Sequence, residues 1–323
     1  MDVICKHEHC KAKHFKDEKV SNKGLSFNDC CGHGCVQLDT FPDFPPELSR
    51  LFQGEHIKSP TFFENIRSYN SSLSFGSFNA NLVNFQTRRP GPYCFKIQGQ
   101  IYYQMNTALY PSDGENLSYG QLFIMDQNEA LNYRMQQNNV IDYQLMIVLD
   151  SIIRDNNIYA KSYAMMNEEI QLQQLISDIH GDSAQPELQL LFSLMPGQDS
   201  RRYNFQRVNE VAAIFSTTAD GEIPESYVTI RNKNTKSLQI VSSLDPNIES
   251  WIYPLFYPYG SQGWHQDMER TNTQRRARLT RLDYTKYRIA IRDNEFNPII
   301  RGRRLYQQWV VDSYVKIERE RIQ

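Results

Sequence analysis

Hydrophobic positions recur at helical spacing along much of the chain. Thr61 and Glu64 are spaced as a capping box ahead of an apolar face, and Asp126 and Glu129 mark a second helix start. Apolar residues three and four apart predict further helical segments. The predicted helices cover residues 46–51, 61–70, 142–155, 158–175, 209–215, 280–292 and 305–322, with another starting at residue 126.

β-rich runs lie between these helices and are grouped in pairs. Residues 93–97 and 100–105 are joined through Gln98-Gly99, which predicts a hairpin. A second hairpin is predicted from 227–231 and 237–242, and single strands are predicted at 121–125 and 188–194. Strands gathered in antiparallel hairpins, rather than in regular βαβ units, predict an α+β fold of hairpins and packed helices.

The composition divides the chain into four predicted regions. Its 323 residues, 40% of them hydrophobic, are enough for a packed core. Residues 1–40 are rich in Cys and His and predict a small zinc-finger-like unit, and the proline-rich residues 41–60 predict a connecting arm. The α+β body is expected over 61–265, and a basic helical segment over 266–323.

Charge is unevenly distributed although the net charge is only −2. From His265 to Gln323 there are 14 Lys and Arg against 8 Asp and Glu, a balance of +6, so the positive field lies at one end. No apolar run is long enough to cross a bilayer, and the first residues lack the apolar stretch of a signal peptide. We therefore expect an intracellular protein with no membrane partner and with reduced cysteines.

Five of the six cysteines and four of the seven histidines lie within the first 35 residues. Zinc takes four such ligands, usually as two close pairs separated by a loop, and so small a unit needs a metal for stability. Adjacent cysteines rarely bind the same ion, so we expect only one residue of each pair of alternatives to be a ligand. The candidate ligands are Cys10 with Cys5 or His7, Cys30 or Cys31, and His33 or Cys35. The alternative is a disordered tail whose thiols are clustered by chance.

Residues 270–292 hold eight basic residues and one acid, Asp283. Arginines that track phosphates, beside tyrosines that stack on bases, are typical of single-strand binding. The candidate nucleic-acid-binding residues are Arg275, Arg276, Arg278, Arg281, Tyr284, Lys286, Tyr287, Arg288 and Arg292. The alternative is a solvated helix face, and the shortage of compensating acids favours DNA or RNA.

Motifs for catalysis are missing from the sequence. It contains no G-x-x-x-x-G-K-[ST] or G-x-G-x-x-G loop, so we find no nucleotide site. It also lacks H-E-x-x-H, G-x-S-x-G and a His-apolar-His pair. We therefore expect no catalytic residue and no enzyme activity in this chain.

Five stretches, taken in order, resemble the N-terminal region of Helitron-type transposon replication-helicase proteins. They are FFENIRSYNSSLSFGSF (62–78), GPYCFKIQGQIYYQMNTALYP (91–111), RRYNFQRVNEVAAIF (201–215), YPLFYPYGSQGWH (253–265) and NPIIRGRRLYQQWVVDSYVKIERERI (297–322). The run from Cys10 to Phe15 and the Cys30-Cys31 pair also resemble the zinc-finger-like start of the family. The last stretch resembles the opening of its helicase-like domain, so the chain stops before the nuclease and helicase motifs.

The resemblance implies contact with single-stranded transposon DNA in rolling-circle transposition, and hence a nuclear location. Two alternatives remain: the chain is part of a longer rolling-circle nuclease and ATP-dependent DNA helicase, or it is a non-functional transposon relic. Without the downstream domain, the last helix is expected to fray or to self-associate, since its apolar stripe would face water. That stripe consists of Leu305, Trp309, Val310, Tyr314 and Ile317.

Overall fold

The computed structural model describes residues 1, 3–5, 9–19, 24–79, 102–106, 116–180, 188–192, 212–216, 238–272, 277–293 and 295–322. The strands are β1 (Val3–Ile4), β2 (Lys13–His14), β3 (Gly76–Asn79), β4 (Tyr102–Asn106), β5 (Leu188–Phe192), β6 (Ala212–Ser216) and β7 (Leu238–Val241). The helices before residue 200 are α1 (Asn28–Cys31), α2 (Pro46–Gln53), α3 (Ser59–Glu64), α4 (Ile66–Leu73), α5 (Gln127–Gln137), α6 (Tyr143–Asn156) and α7 (Ile158–His180). The later helices are α8 (Ile248–Ile252), α9 (Arg281–Ile289), α10 (Pro298–Arg301) and α11 (Arg304–Ile322). This mixture of helices and small antiparallel sheets is an α+β architecture.

The chain forms two compact units. The first comprises residues 1–69, 140–152 and 262–323, and the second comprises residues 70–139 and 153–261. The first unit therefore contains both the cysteine-rich start and the basic end of the chain, which the composition predicted as separate regions. Among the described residues, no helix has the length and apolar character needed to cross a bilayer.

Short helices with well-defined ends build the first unit. Helix α2 begins with Pro46 in its first turn and ends at Gly54, which adopts a left-handed conformation. Helix α9 begins with a capping box, in which the Thr280 hydroxyl accepts a hydrogen bond from the Asp283 backbone N–H. An apolar core forms between α2, α3, α10 and α11. It contains Leu48, Leu51, Phe52, Phe62, Ile299, Leu305 and Trp309.

Antiparallel pairing organises the second unit. Strand β4 lies between β3 and β7, with Tyr103 opposite both Phe78 and Val241. Strands β5 and β6 form a separate pair. The core beside these strands is aromatic: the Phe75 ring centroid lies 4.8 Å from that of Phe123 and 6.2 Å from that of Tyr163.

Several strand and helix predictions are confirmed, and three are wrong. The single helix predicted over 61–70, with Thr61 as its cap, is two helices, and α3 begins at Ser59 without a side-chain cap. The predicted strand over 121–125 is a 3₁₀ helix, Tyr119–Phe123, because the buried Gln121 side chain accepts a hydrogen bond from the Ser118 backbone N–H and closes a turn. The predicted helix over 209–215 contains most of strand β6, whose backbone pairs with β5. The predicted partners of β4 and β7, at 93–97 and 227–231, lie outside the described residues.

Packing partners for the last helix come from the same chain. Three residues of its predicted stripe, Leu305, Trp309 and Ile317, are buried, and α11 packs against α9 and α10. The expectation that this stripe faces water is wrong for these residues, because the helices before it supply the missing apolar surface. Tyr314 is 62% exposed. Self-association through α11 stays a prediction, but most of the apolar residues that would form such an interface are buried within the chain.

Candidate metal centre

Four cysteine sulfurs converge in the first unit. The sulfurs of Cys5, Cys10, Cys30 and Cys31 all lie within 4.8 Å of one another. The Sγ–Sγ distance is 3.6 Å between Cys30 and Cys31 and 3.9 Å between Cys5 and Cys31. A disulfide bond is about 2.05 Å long, so these are free thiols.

The spacing of the sulfurs fits one tetrahedral metal ion. Zinc–sulfur bonds of about 2.3 Å place the four sulfurs of a tetrahedron roughly 3.8 Å apart. The two measured separations lie on either side of that value. All four residues are at most 8% exposed, so the site excludes solvent. Four sulfur donors in this arrangement are the set that zinc or an iron–sulfur centre uses.

A hairpin and a short helix deliver the four ligands. Strands β1 and β2 bring Cys5 and Cys10 together, and the Cys5 backbone N–H donates a 2.8 Å hydrogen bond to the Ala12 carbonyl. Helix α1 supplies the other two ligands from its last turn. It ends at Cys31 because Gly32 adopts a left-handed conformation, with φ 54°.

Gly34 completes the surroundings of the cluster. Its backbone N–H donates to the Cys31 sulfur at 3.3 Å, a contact that would stabilise a thiolate ligand. Its φ is 90°, and a Cβ at this position would lie 2.7 Å from the His9 ring. Only glycine therefore allows both this backbone conformation and the close approach of His9.

The thiols interact strongly with one another. Hydrogen bonds donated by the Cys30 thiol, and then by the Cys31 thiol, lower the pKa of Cys10 to about 2. The same contact with Cys10 raises the pKa of Cys30, and it raises the pKa of Cys31 to about 12. These contacts therefore favour the thiolate form at Cys10. A bound metal ion would displace the remaining protons.

The cluster corrects the predicted ligand set. Both adjacent cysteines, Cys30 and Cys31, belong to it, because the end of α1 turns their sulfurs toward one point. His33 lies outside the four-sulfur group, and its Nδ1 atom is 3.0 Å from the Ser26 hydroxyl. Cys35 also lies outside the group and is half-buried. His7 lies outside the described residues.

The basic segment holds the cysteine-rich start of the chain in place. Helix α1 packs against α9, and the Lys13 backbone N–H donates a 2.8 Å hydrogen bond to the Ile291 carbonyl. Arg292 donates to the carbonyl oxygen of Cys10 at 2.9 Å. Lys286 pairs with Asp29 at 2.7 Å. Part of the positive charge of this segment therefore takes part in contacts within the first unit.

Several predicted nucleic-acid-binding residues are interior residues. Arg281 is 2% exposed, pairs with Glu320 at 2.6 Å, and has its guanidinium 4.1 Å from the Trp264 ring centroid. Tyr284 is 1% exposed and Tyr287 is also buried. The predicted base-stacking and phosphate-tracking roles are wrong for these three residues, because their faces are covered by the protein itself.

The remaining predicted residues differ in their surroundings. Arg288 donates a 2.8 Å hydrogen bond to the Asp39 carbonyl, and its guanidinium lies 4.6 Å from the Phe41 ring centroid. Arg278 is exposed, whereas Arg275 and Arg276 lie outside the described residues. Of the described members of the nine, Arg278 is the one that is exposed.

Three other exposed arginines, for which the sequence pattern predicted no role, lie around the turn between α10 and α11: Arg301, Arg303 and Arg304. The run Arg-Gly-Arg-Arg was the available signal, but it lies just before the predicted helix over 305–322, in a stretch that was considered only for its family resemblance.

The chain matches no protein-family model, and no curated protein sequence is significantly similar to it.

Proposed function

We propose that this chain is a nucleic-acid-binding module in which a structural zinc ion holds the N-terminal residues against the basic C-terminal segment. The observation that carries the proposal is the buried group of four sulfurs from Cys5, Cys10, Cys30 and Cys31. These ligands come from the N-terminal residues, and helix α9, which packs against α1, comes from the C-terminal segment. Both belong to one compact unit.

The ligand set supports a structural rather than a catalytic zinc ion. Catalytic zinc sites keep one coordination position for water or substrate, whereas structural sites are closed by four protein ligands. Here four sulfurs are available and all four residues are buried, so water has no ready access to the ion. The residues around the cluster, such as His9 and Gly34, pack against one another.

Single-stranded DNA is the partner that we propose. The support is the excess of positive charge after His265 and the resemblance of five ordered stretches to Helitron-type proteins. Because Arg281, Tyr284 and Tyr287 are buried, the phosphate contacts in this proposal come from arginines at the surface. Zinc would act indirectly, by stabilising the unit that carries them.

The metal is tested by measuring zinc content in protein purified under reducing conditions. We expect one zinc ion per chain, and tetrahedral thiolate absorption after substitution with cobalt(II). Cys30→Ser and Cys31→Ser should each lower the zinc content. Cys35→Ser is the matched control and should retain it, because Cys35 lies outside the cluster. Wild-type protein without zinc, or a Cys35→Ser variant that loses it, would contradict the proposed centre.

DNA binding is tested by fluorescence anisotropy of a labelled single-stranded oligonucleotide over a salt series. The proposal expects binding that weakens steeply with salt, since phosphate contacts release counterions. Chelation of zinc should weaken binding, because it releases the N-terminal residues that pack against the basic C-terminal segment. A folded, zinc-loaded chain that does not bind the oligonucleotide at low salt would rule out the nucleic-acid function while leaving the metal centre intact.

A further inference from the structure

The turn between α10 and α11 presents three arginines to solvent. Arg301 ends α10, Arg304 begins α11, and Arg303 lies between them with φ 48°. All three are exposed, whereas Gly302, the remaining residue of the turn, is buried. We call residues 301–304 the arginine turn.

Aromatic rings support two of these arginines from the protein side. The Arg303 guanidinium lies 3.9 Å from the ring centroid of Phe63, which belongs to α3. The Arg301 guanidinium lies 5.8 Å from the ring centroid of Phe296. Contacts of this kind orient a guanidinium through one face and leave its N–H edge able to donate. The left-handed backbone at Arg303 is uncommon for a residue with a side chain.

The arginine turn has no acidic partner among the described residues. Two other arginines of the first unit do have one: Arg270 pairs with Asp283 at 2.6 Å, and Arg281 pairs with Glu320. Within the parts of the chain that the structure describes, no carboxylate lies at ion-pair distance from Arg301, Arg303 or Arg304. Within this described part, their charges therefore have no carboxylate counterion and suit an external anion.

We propose that the arginine turn binds the phosphate backbone of the nucleic acid, a step that rests on the proposed function and gives it a location. Planar guanidinium groups bind phosphate oxygens two at a time, and three of them follow one another within four residues. A lipid surface is a poorer match, because membrane-binding basic patches also insert apolar side chains. Between Arg292 and Val311, no large apolar side chain is exposed among the described residues.

The test compares four forms of the full chain, the wild type and three variants, by anisotropy with a labelled oligothymidylate of 20 nucleotides. The first variant is Arg301→Gln/Arg303→Gln/Arg304→Gln. Its control, Arg67→Gln/Lys161→Gln/Arg321→Gln, removes the same charge from three other exposed positions. Zinc content and the circular dichroism spectrum must match those of the wild type, which shows that each variant is folded.

Losing three phosphate contacts should reduce, by about 2, the steepness with which the logarithm of the association constant falls against the logarithm of the salt concentration. It should also weaken binding roughly 100-fold at 50 mM salt. The control should change affinity far less at the same net charge. A second variant, Arg301→Lys/Arg303→Lys/Arg304→Lys, keeps the charge but loses the planar forks. We expect it to bind with intermediate affinity.

Each failure has its own signature. Binding by the wild type that is equally strong in the glutamine variant would overturn the arginine turn and leave the proposed function standing. A folded wild type that does not bind the oligonucleotide would overturn both. Binding to vesicles that contain anionic lipid but not to the oligonucleotide, and only with the arginines present, would assign the turn to a membrane and overturn this proposal.

Discussion

The cysteine-rich start of the chain and the aromatic core of the second unit are stabilised by different interactions. Among the described residues of 1–40, the buried apolar side chains other than cysteine are Ala12, Phe27 and Val36, and four cysteines are buried with them. Around Phe75, by contrast, the rings of Phe123, Tyr159 and Tyr163 lie at centroid distances of 4.8 to 6.2 Å.

The difference shows how one chain uses two sources of folding free energy. A fully buried aromatic side chain contributes about 1.5–3 kcal/mol through the removal of apolar surface from water. A structural zinc ion contributes about 10–16 kcal/mol of binding free energy to a small motif that cannot build such a core. The first source is insensitive to chelators and the second depends on them, so the two regions can be separated experimentally.

Removal of the metal should have the largest effect, and only on the first unit. Chelation should abolish amide-exchange protection in β1, β2 and α1 and reduce it in α9, because α1 packs against α9. Protection in α7, which belongs to the second unit, should be unchanged. Hydrogen-exchange mass spectrometry with and without the chelator measures both. Uniform loss of protection across α7 would show that the two regions do not differ in this way.

Phe75→Ala is the corresponding test of the aromatic core. The variant removes a fully buried ring that contacts three others, so we expect a loss of about 3–5 kcal/mol in the free energy of unfolding. The loss should be the same with and without zinc. Chemical denaturation measures it, and Leu244→Ala, an exposed position, is the control with little change expected.

Asp245→Asn should change the pH dependence of the second unit. Burial raises the pKa of Asp245 from 3.8 to about 6, although the Asn247 backbone N–H donates to it at 2.8 Å. Between these two pH values the folded chain holds a proton that the unfolded chain has lost, so stability falls as pH rises from about 4 to about 6.

The Asn variant lacks this penalty and should be more stable than the wild type by about 1–3 kcal/mol at pH 7. As pH falls below 3.8 the two should become equally stable, because the carboxyl group is then increasingly protonated in the unfolded as well as the folded state. Unfolding at a series of pH values tests this, with Glu129→Gln, an exposed acid on α5, as the control. A difference that does not depend on pH would contradict the prediction.

The smallest effect is expected at the ion pair between Lys286 and Asp29. Their charged atoms are 2.7 Å apart, but Asp29 is largely exposed, so the pair should contribute about 0.5 kcal/mol. A double-mutant cycle with Lys286→Ala and Asp29→Ala measures this coupling. A coupling energy comparable with the loss of zinc would mean that surface charge, rather than the metal, holds α1 on α9.

Local patterns were enough to locate most helices. The periodic runs around 142–155, 158–175 and 305–322 predicted α6, α7 and α11, because an amphipathic repeat fixes both the helix and its buried face. The repeat did not identify what that face packs against. For α11, the partners α9 and α10 became evident only in the folded chain.

The candidate site divides in the same way. The sequence alone determined that residues 5–35 contain soft metal ligands in two groups, because the identity of each donor is read directly from the residue type. Only the tertiary structure selected Cys5, Cys10, Cys30 and Cys31, because metal binding depends on where the sulfurs meet and not on their spacing along the chain.

The distribution of charge shows the same limit. The sequence determined that the C-terminal segment carries a balance of +6, but every arginine counts equally in that total. Folding buried Arg281 against Glu320 and left Arg301, Arg303 and Arg304 exposed. Charge is a property of composition, whereas its availability to a partner depends on desolvation and on neighbouring carboxylates, which only the tertiary structure decides.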